Sequence, residues 1–263
     1  MDIPFQLLSE LIKEKKKQMK KMKKICNLLF VVVSFLSFGC SSSDDFDPAI
    51  NIGYGSRLIF QDNGISESQK SDIESVVRGT VDLVNAKMPI ENLTIRVRTA
   101  PSRTIPEIGI GGFNPNANEV IMSLDPNFGD FSNSVAIEFG PLLAHEMHHA
   151  KRRRAVGYGE TLLEAMVTEG LADSFSVELY GIAPPLWSRA LENNELDLLV
   201  DVAMETWNDG GYDHDAWFFG TTVAIPRWAG YSIGFSLVQD YLSQNPSQLP
   251  SNLHDEEANS FIP

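Results

Sequence analysis

The 263-residue chain has two cysteines, Cys26 and Cys40, and neither lies beyond residue 40. Residues 41–263 therefore have no internal disulfide and no thiolate to offer a metal, so any ion there must be held by His, Asp or Glu. Basic residues are scarce in the same stretch. Residues 1–39 hold eight of the 21 Lys and Arg and three of the 35 Asp and Glu, which leaves 13 basic against 32 acidic residues, a net charge of −19. Such a surface argues against nucleic acid as a partner, because that association rests on neutralising phosphates. No apolar run is long enough to cross a bilayer comfortably. Histidine is rare too, five in all, yet three of them fall between positions 145 and 149. Against these absences, 43% hydrophobic and 21% charged residues are ordinary for a folded chain and permit a sizeable core.

The N-terminus reads as an export segment. Eight lysines lie between Lys13 and Lys24, an apolar run follows from Ile25 to Phe38, and Gly39-Cys40 closes it. A basic stretch, a short apolar stretch and a small residue are the parts of a secretory signal. Met19 or Met22 is a more natural start than Met1, since residues 1–18 add nothing such a signal needs. Leu36-Ser37-Phe38-Gly39-Cys40 resembles a bacterial lipobox, although Phe38 stands where a small residue is usual. The resemblance implies that Cys40 is lipidated and that residues 1–40 are a signal peptide. Residues 41–52 begin Ser-Ser-Ser-Asp-Asp and have no apolar period, so they are expected to form a flexible acidic tether. A serine after the cysteine and then acids resemble exported lipoproteins of gut-type bacteria. That likeness implies an outer-membrane location, with exposure at the surface open and the lipid anchor as the sole contact with the membrane.

Residues 53–263 are expected to form one α+β domain, sheet-rich over 53–131 and helical over 132–263. Arg57–Phe60, Leu93–Arg98 and Val120–Leu124 read as strands, the second alternating apolar and polar as a half-buried strand does. Ser66-Glu-Ser-Gln69 is a capping box opening a helix. Pro141 suits the first turn of another helix, and Lys151 to Arg154 suit its C-terminal end. Thr161-Leu-Leu-Glu164 is a second capping box for a helix reaching about Tyr180 before Gly181. Further helices are expected over 187–206 and 229–244, with a loop over 207–222.

His145-Glu146-Met147-His148-His149 contains H-E-x-x-H. On a helix, residues four apart lie about 40° apart in projection and ~6 Å along the axis, so His145 and His149 can reach one ion. Glu146 projects near the same side, within reach of a water at that ion. Imidazoles suit Zn²⁺, and a catalytic zinc takes three protein ligands with one position left open. The following helix offers Glu164, Glu169, Asp173 and Glu178. Glu164 is occupied as a cap. Glu169 and Asp173 share a face, and a buried acid pair without a base on its own helix is costly unless a cation neutralises it. Gly170 and Ala172 are small enough for this helix to approach the histidine helix closely.

H-E-x-x-H with Glu169 twenty residues after His149 and Asp173 one turn beyond resembles the thermolysin-like gluzincin metallopeptidases. The resemblance implies a zincin-like fold, with an edge strand beside the H-E-x-x-H helix. It implies one zinc per chain bound by His145, His149 and Glu169, with Glu146 as general base and Asp173 steadying His145. The stretches HEMHHAKR, TLLEAMVTEGLADSF and PRWAGYSIGF also resemble an uncharacterised family of predicted zinc-dependent proteases, often lipoproteins. The Gly-x-Met-Glu-Asn strand of gluzincin aminopeptidases is absent. An endopeptidase acting on peptide or protein substrates is therefore expected.

Substrate backbone is expected to add to an edge strand at Gly109–Phe113, with Gly111, Gly112 and Phe113 in contact. The developing oxyanion needs a further donor. Tyr231 is the first candidate, followed by His214 and Tyr212, with Arg227 behind them. His148 is expected to face away from the metal, and His254 to lie idle in a polar tail. Two other readings compete: a zinc hydrolase of non-peptide substrates, and a binding lipoprotein that has lost catalysis. The intact Glu146 argues against the second.

Overall fold

A computed structural model describes residues 48–61 and 64–262. The expected signal segment, Cys40 and the first part of the expected tether lie outside these residues. The fold is mixed α+β. Five strands, β1 (Ile50–Asn51), β2 (Arg57–Phe60), β3 (Thr94–Thr99), β4 (Ile110–Asn116) and β5 (Glu119–Leu124), form one sheet in the order β1-β2-β3-β5-β4. β2, β3 and β5 run parallel, while β1 and β4 are antiparallel edges. Ile50 and Asn51 pair with Leu58 and Arg57, and Ile52 is buried. The end of the expected tether is thus part of the sheet: isoleucines on either side of Asn51 gain more by burial than an extended linker allows.

Alternation along β3 turns Ile95 and Val97 inward and leaves Arg96 and Arg98 on the other face. The inward face packs on α1 (Glu67–Lys87) through Ile73, Val77, Val81 and Val84, residues spaced along one stripe. Ser66 caps α1 with the reciprocal bonds its sequence predicts: Gln69 N donates to Ser66 Oγ at 3.3 Å and Ser66 N to Gln69 Oε1 at 2.9 Å. Beyond the sheet the chain is helical. The short helix α2 (Phe131–Ser134) runs through one π turn, Val135–Phe139, into α3 (Gly140–Arg153). α3 lies beneath the sheet, with Leu143, Ala144, Met147 and Ala150 in the same core.

A second core forms around α4 (Leu162–Tyr180), α5 (Asn193–Met204) and α7 (Ala229–Gln244). α4 is buried at every position from Ala165 to Ser176, because it is clasped between α3 and α7. Gly170 serves a different neighbour from the one expected. A Cβ there would collide with the Gly234 carbonyl of α7, and one on Gly234 with the Met166 carbonyl, so the glycines let α4 and α7 touch backbone to backbone. Two boundaries also differ. Residues 187–206 divide into a 3₁₀ turn at Trp187–Arg189 and then α5, and the expected loop over 207–222 contains α6 (His214–Phe219), capped by Asp213. The tail around His254 is packed, with Leu253 and Phe261 buried. Arg152 donates to the carbonyls of His254 and Glu256 at 3.3 and 2.7 Å, which ties that tail to α3.

Candidate metal centre

α3 runs under the edge strand β4, and α4 crosses behind it. His145, Glu146 and His149 are all buried on α3, as are Glu169 and Asp173 on α4. Glu169 Oε2 stands 3.2 Å from His145 Nε2 and 3.3 Å from His149 Nε2. Donors bound at ~2.0–2.1 Å around a tetrahedral ion stand about 3.3 Å apart, which matches the distance from Glu169 Oε2 to each histidine nitrogen. Across the group, the ligand atoms of His145, His149 and Glu169 lie within 4.8 Å of one another.

The protonation pattern points the same way. His145 Nδ1 and Asp173 Oδ1 are 2.7 Å apart. With Nδ1 donating to Asp173, the Nε2 lone pair of a neutral imidazole faces the Glu169 carboxylate, an arrangement that repels unless a cation stands between them. Burial alone lowers the His145 pKa, but the carboxylates of Asp173 and Glu169 outweigh it and hold the pKa well above its usual range. The same two carboxylates make the position favourable for a cation. Glu169 responds in the opposite sense: burial raises its pKa, while His149 and His145 bring it well below the usual carboxylate range.

Glu146 is held apart from these three. A Cβ on Gly112 would strike its Oε1, so β4 passes directly over this carboxylate and any larger residue there would displace it. Burial raises the Glu146 pKa, and Oε2 has no hydrogen-bond partner among the described residues. A buried carboxylate oxygen without a partner is costly to maintain.

Two supports were not legible as such. Tyr158, in the turn between Gly157 and Gly159, donates to Glu169 Oε1 at 2.5 Å and leaves Oε2 facing the histidines. Trp187 Nε1 and Ser188 Oγ, at the 3₁₀ turn, donate to Asp173 at 3.0 and 2.5 Å. An aromatic flanked by glycines was the only sequence signal for Tyr158. Nothing local marked the pair at 187–188.

The remaining candidates fall around a cleft of about 1060 Å³ that opens onto the centre. Tyr231 lines it, its ring packed on Trp187 and Phe218. Burial, with Glu169 nearby, holds its phenol protonated well above the usual range. His214 also lines the cleft, but it pairs with the Tyr212 hydroxyl at 3.0 Å and stacks on Phe218. Burial lowers the His214 pKa and pushes that of Tyr212 up to about 12. Arg227 is engaged by Glu107 at 2.6 Å. Gly111 and Gly112 line the cleft on the edge strand. Phe113 lines the same cleft, although strand alternation turns its side chain away from Glu146 and it is 56% exposed. Glu164 caps α4, accepting from Thr161 N at 2.8 Å, and takes no part in the centre. His148 packs on Phe175 instead, and burial keeps its pKa well below the usual value.

An edge strand is laid over a buried glutamate, beside two imidazoles and a carboxylate that converge on one point and could hold a metal ion. The chain belongs to the family described as Predicted Zn-dependent protease (DUF2268), whose model matches residues 73–263. It is 28% identical over 120 residues to the uncharacterized protein YjfC of Bacillus subtilis (strain 168), a match covering 40% of each chain. Among solved structures it resembles an aminopeptidase N family protein from Idiomarina loihiensis, with 14% identity and a TM-score of 0.45 over 82% of this chain and 41% of that one. The chain thus spans about two fifths of either relative.

Proposed function

We propose that the protein is a zinc metallopeptidase of the gluzincin type, in which His145, His149 and Glu169 hold one zinc ion and Glu146 is the general base. The observation that carries this reading is the convergence of both Nε2 atoms on a single Glu169 oxygen, beside a partnerless glutamate oxygen beneath an edge strand. The chemistry such an ion supplies when bound is Lewis acidity, which polarises a carbonyl and lowers the pKa of water from ~15.7 towards ~7.

The chain's own residues supply the rest. β4 is an edge strand that an extended peptide can join, and Gly112 lets Glu146 lie close beneath that strand. This edge favours peptide over non-peptide substrates. Glu146 takes the proton of the attacking water and returns one to the leaving amine, a role its raised pKa suits. Tyr231, protonated and lining the cleft, donates to the developing oxyanion; the existing partners of His214 and Arg227 make them weaker choices. Tyr158 and Asp173 position the ligands. Endopeptidase action is preferred, since the glutamate-bearing strand that grips a free N-terminus is absent from the sequence.

The test is Glu146→Gln in the full chain. The variant is expected to retain one zinc per chain by elemental analysis while cleavage of a quenched fluorescent peptide falls by ~10²–10⁴. Loss of the metal would show that Glu146 is a ligand instead. We also propose export as a lipoprotein through Cys40, on the strength of the basic, apolar and Gly39-Cys40 pattern. Labelled palmitate should enter the wild-type chain and fail to enter Cys40→Ala.

A further inference from the structure

The catalytic reading leaves one built feature of the cleft unused. Arg153 follows His149 by four residues on α3, so it shares the face that carries both histidines and stands about 6 Å further along the axis. Its guanidinium is fixed rather than free. Nε donates to Asn114 Oδ1 at 2.6 Å, Nη2 donates to the Asn114 carbonyl at 3.1 Å, and the plane lies over Tyr158 with 4.8 Å from Cζ to the ring centroid. Asn114 is itself buried and locked by bonds to the carbonyls of Asn116 and Glu119, both 2.7 Å. Among the described residues no carboxylate pairs with Arg153, although acids outnumber bases by 32 to 13 beyond residue 39.

The charge around the cleft is equally uneven. Its acidic lining residues are Glu146 and Glu169, both committed to the metal centre, whereas Arg98 and Arg103 join Arg153 on its walls. Arg227 lines it too but is neutralised by Glu107. An acidic protein that concentrates unpaired guanidinium groups around its cleft focuses positive potential where substrate enters.

We propose that Arg153 is a specificity-determining residue that reads an acidic side chain of the substrate, so that the cleft takes peptides with Asp or Glu close to the scissile bond. The inference rests on the peptidase reading above. Geometry sets the spacing. An extended peptide on β4 repeats its side chains on one face every ~6.6 Å, close to the ~6 Å between His149 and Arg153, so the acid lies within two residues of the bond cut. Arg153 already holds the Asn114 carbonyl of β4, so strand pairing ends there and the substrate side chain next to it meets the guanidinium. Two N–H groups on Asn114 leave the rest of the fork for a carboxylate, the partner its planar geometry fits.

The experiment uses the zinc-loaded full chain with two alanine-rich octapeptide sets, identical except that Glu or Gln is scanned through each position. The expected result is a kcat/KM ratio of Glu to Gln of tenfold or more at one or two positions. Arg153→Met should bring that ratio close to one, Arg153→Lys should restore part of it, and Arg153→Glu should take it below one. Fluorescence anisotropy of the labelled best Glu peptide on Glu146→Gln, with and without Arg153→Met, gives the same comparison free of turnover. A ratio near one in the wild type overturns the proposal while peptidase action stands. A ratio that Arg153→Met leaves unchanged, with both sets slowed equally, overturns it in favour of a merely structural role. Absence of zinc-dependent cleavage of either set overturns the peptidase reading and this inference with it.

Discussion

Two carboxylates four residues apart on α4 have been given separate tasks by their surroundings. Glu169 accepts a hydrogen bond from Tyr158 on one oxygen and turns the other to the histidines, while Asp173 is enclosed by His145, Trp187 and Ser188. Removing the carboxylate at 169 should cost the most: Glu169→Gln is expected to weaken zinc by several orders of magnitude in a chelator competition. Glu164→Gln, in contrast, should leave zinc affinity unchanged and cost about 1 kcal/mol of stability as a lost cap. A reversed order would move the third ligand to Glu164. Asp173→Asn should weaken zinc by about 10–100-fold, the usual effect of losing the acid behind a ligand histidine. The H-E-x-x-H residues and both acids were legible because helical spacing puts them on defined faces. Tyr158, Trp187 and Ser188 were not, because their partners lie 11 to 15 residues away in sequence and are brought near by a turn that no local pattern specifies.

At the level of elements, the capping boxes made the helix starts readable: Ser66 and Thr161 open α1 and α4 where the sequence places them. What spacing did not reveal was which helix each face would meet. Gly170 lies on the α4 sequence beside Glu169, and closeness to α3 was the natural inference, yet its bare Cα abuts Gly234. Gly234→Val is therefore expected to force α4 and α7 apart at a cost of ~1–3 kcal/mol. Thermal unfolding should fall by about 2–4 °C for each kcal/mol, and zinc affinity should drop too, because α4 carries Glu169 and Asp173. An unchanged melting temperature would mean that the helices separate freely at this crossing. The edge strand was expected at Gly109–Phe113 from the family resemblance, whereas its reach to Asn116 and the side each of its residues faces needed the register with β5.

For the whole molecule, the centre sits where the two cores meet: α3 belongs to the sheet-side core and most of α4 to the helical one. Buried acids from α4 face imidazoles from α3, so the ion is expected to hold the halves together as well as act in chemistry. Zinc at 1,000 times its dissociation constant would add ~4.1 kcal/mol to stability. Chelation should accordingly lower the melting temperature by about 8–16 °C, with recovery on adding zinc back. No shift on chelation would separate metal binding from folding. The packed tail contributes to the same joint. Arg152 binds carbonyls at 254 and 256 and donates to Thr168 Oγ1 at 3.0 Å, linking α3, α4 and the C-terminus.

By itself the sequence determined the kind of chemistry available: a cysteine-free, histidine-poor, acidic domain whose few imidazoles sit at ligand spacing on one helix, followed by a capped helix bearing acids. These are local properties, governed by the period of a helix and by which side chains hold cations. Only the tertiary structure decided which acid reaches the imidazoles, that a glycine of the edge strand lies over Glu146, and that Arg153 is anchored to β4 without a carboxylate partner. Those outcomes depend on how close two helices and a strand approach, and that closeness is set by packing between segments distant in the chain.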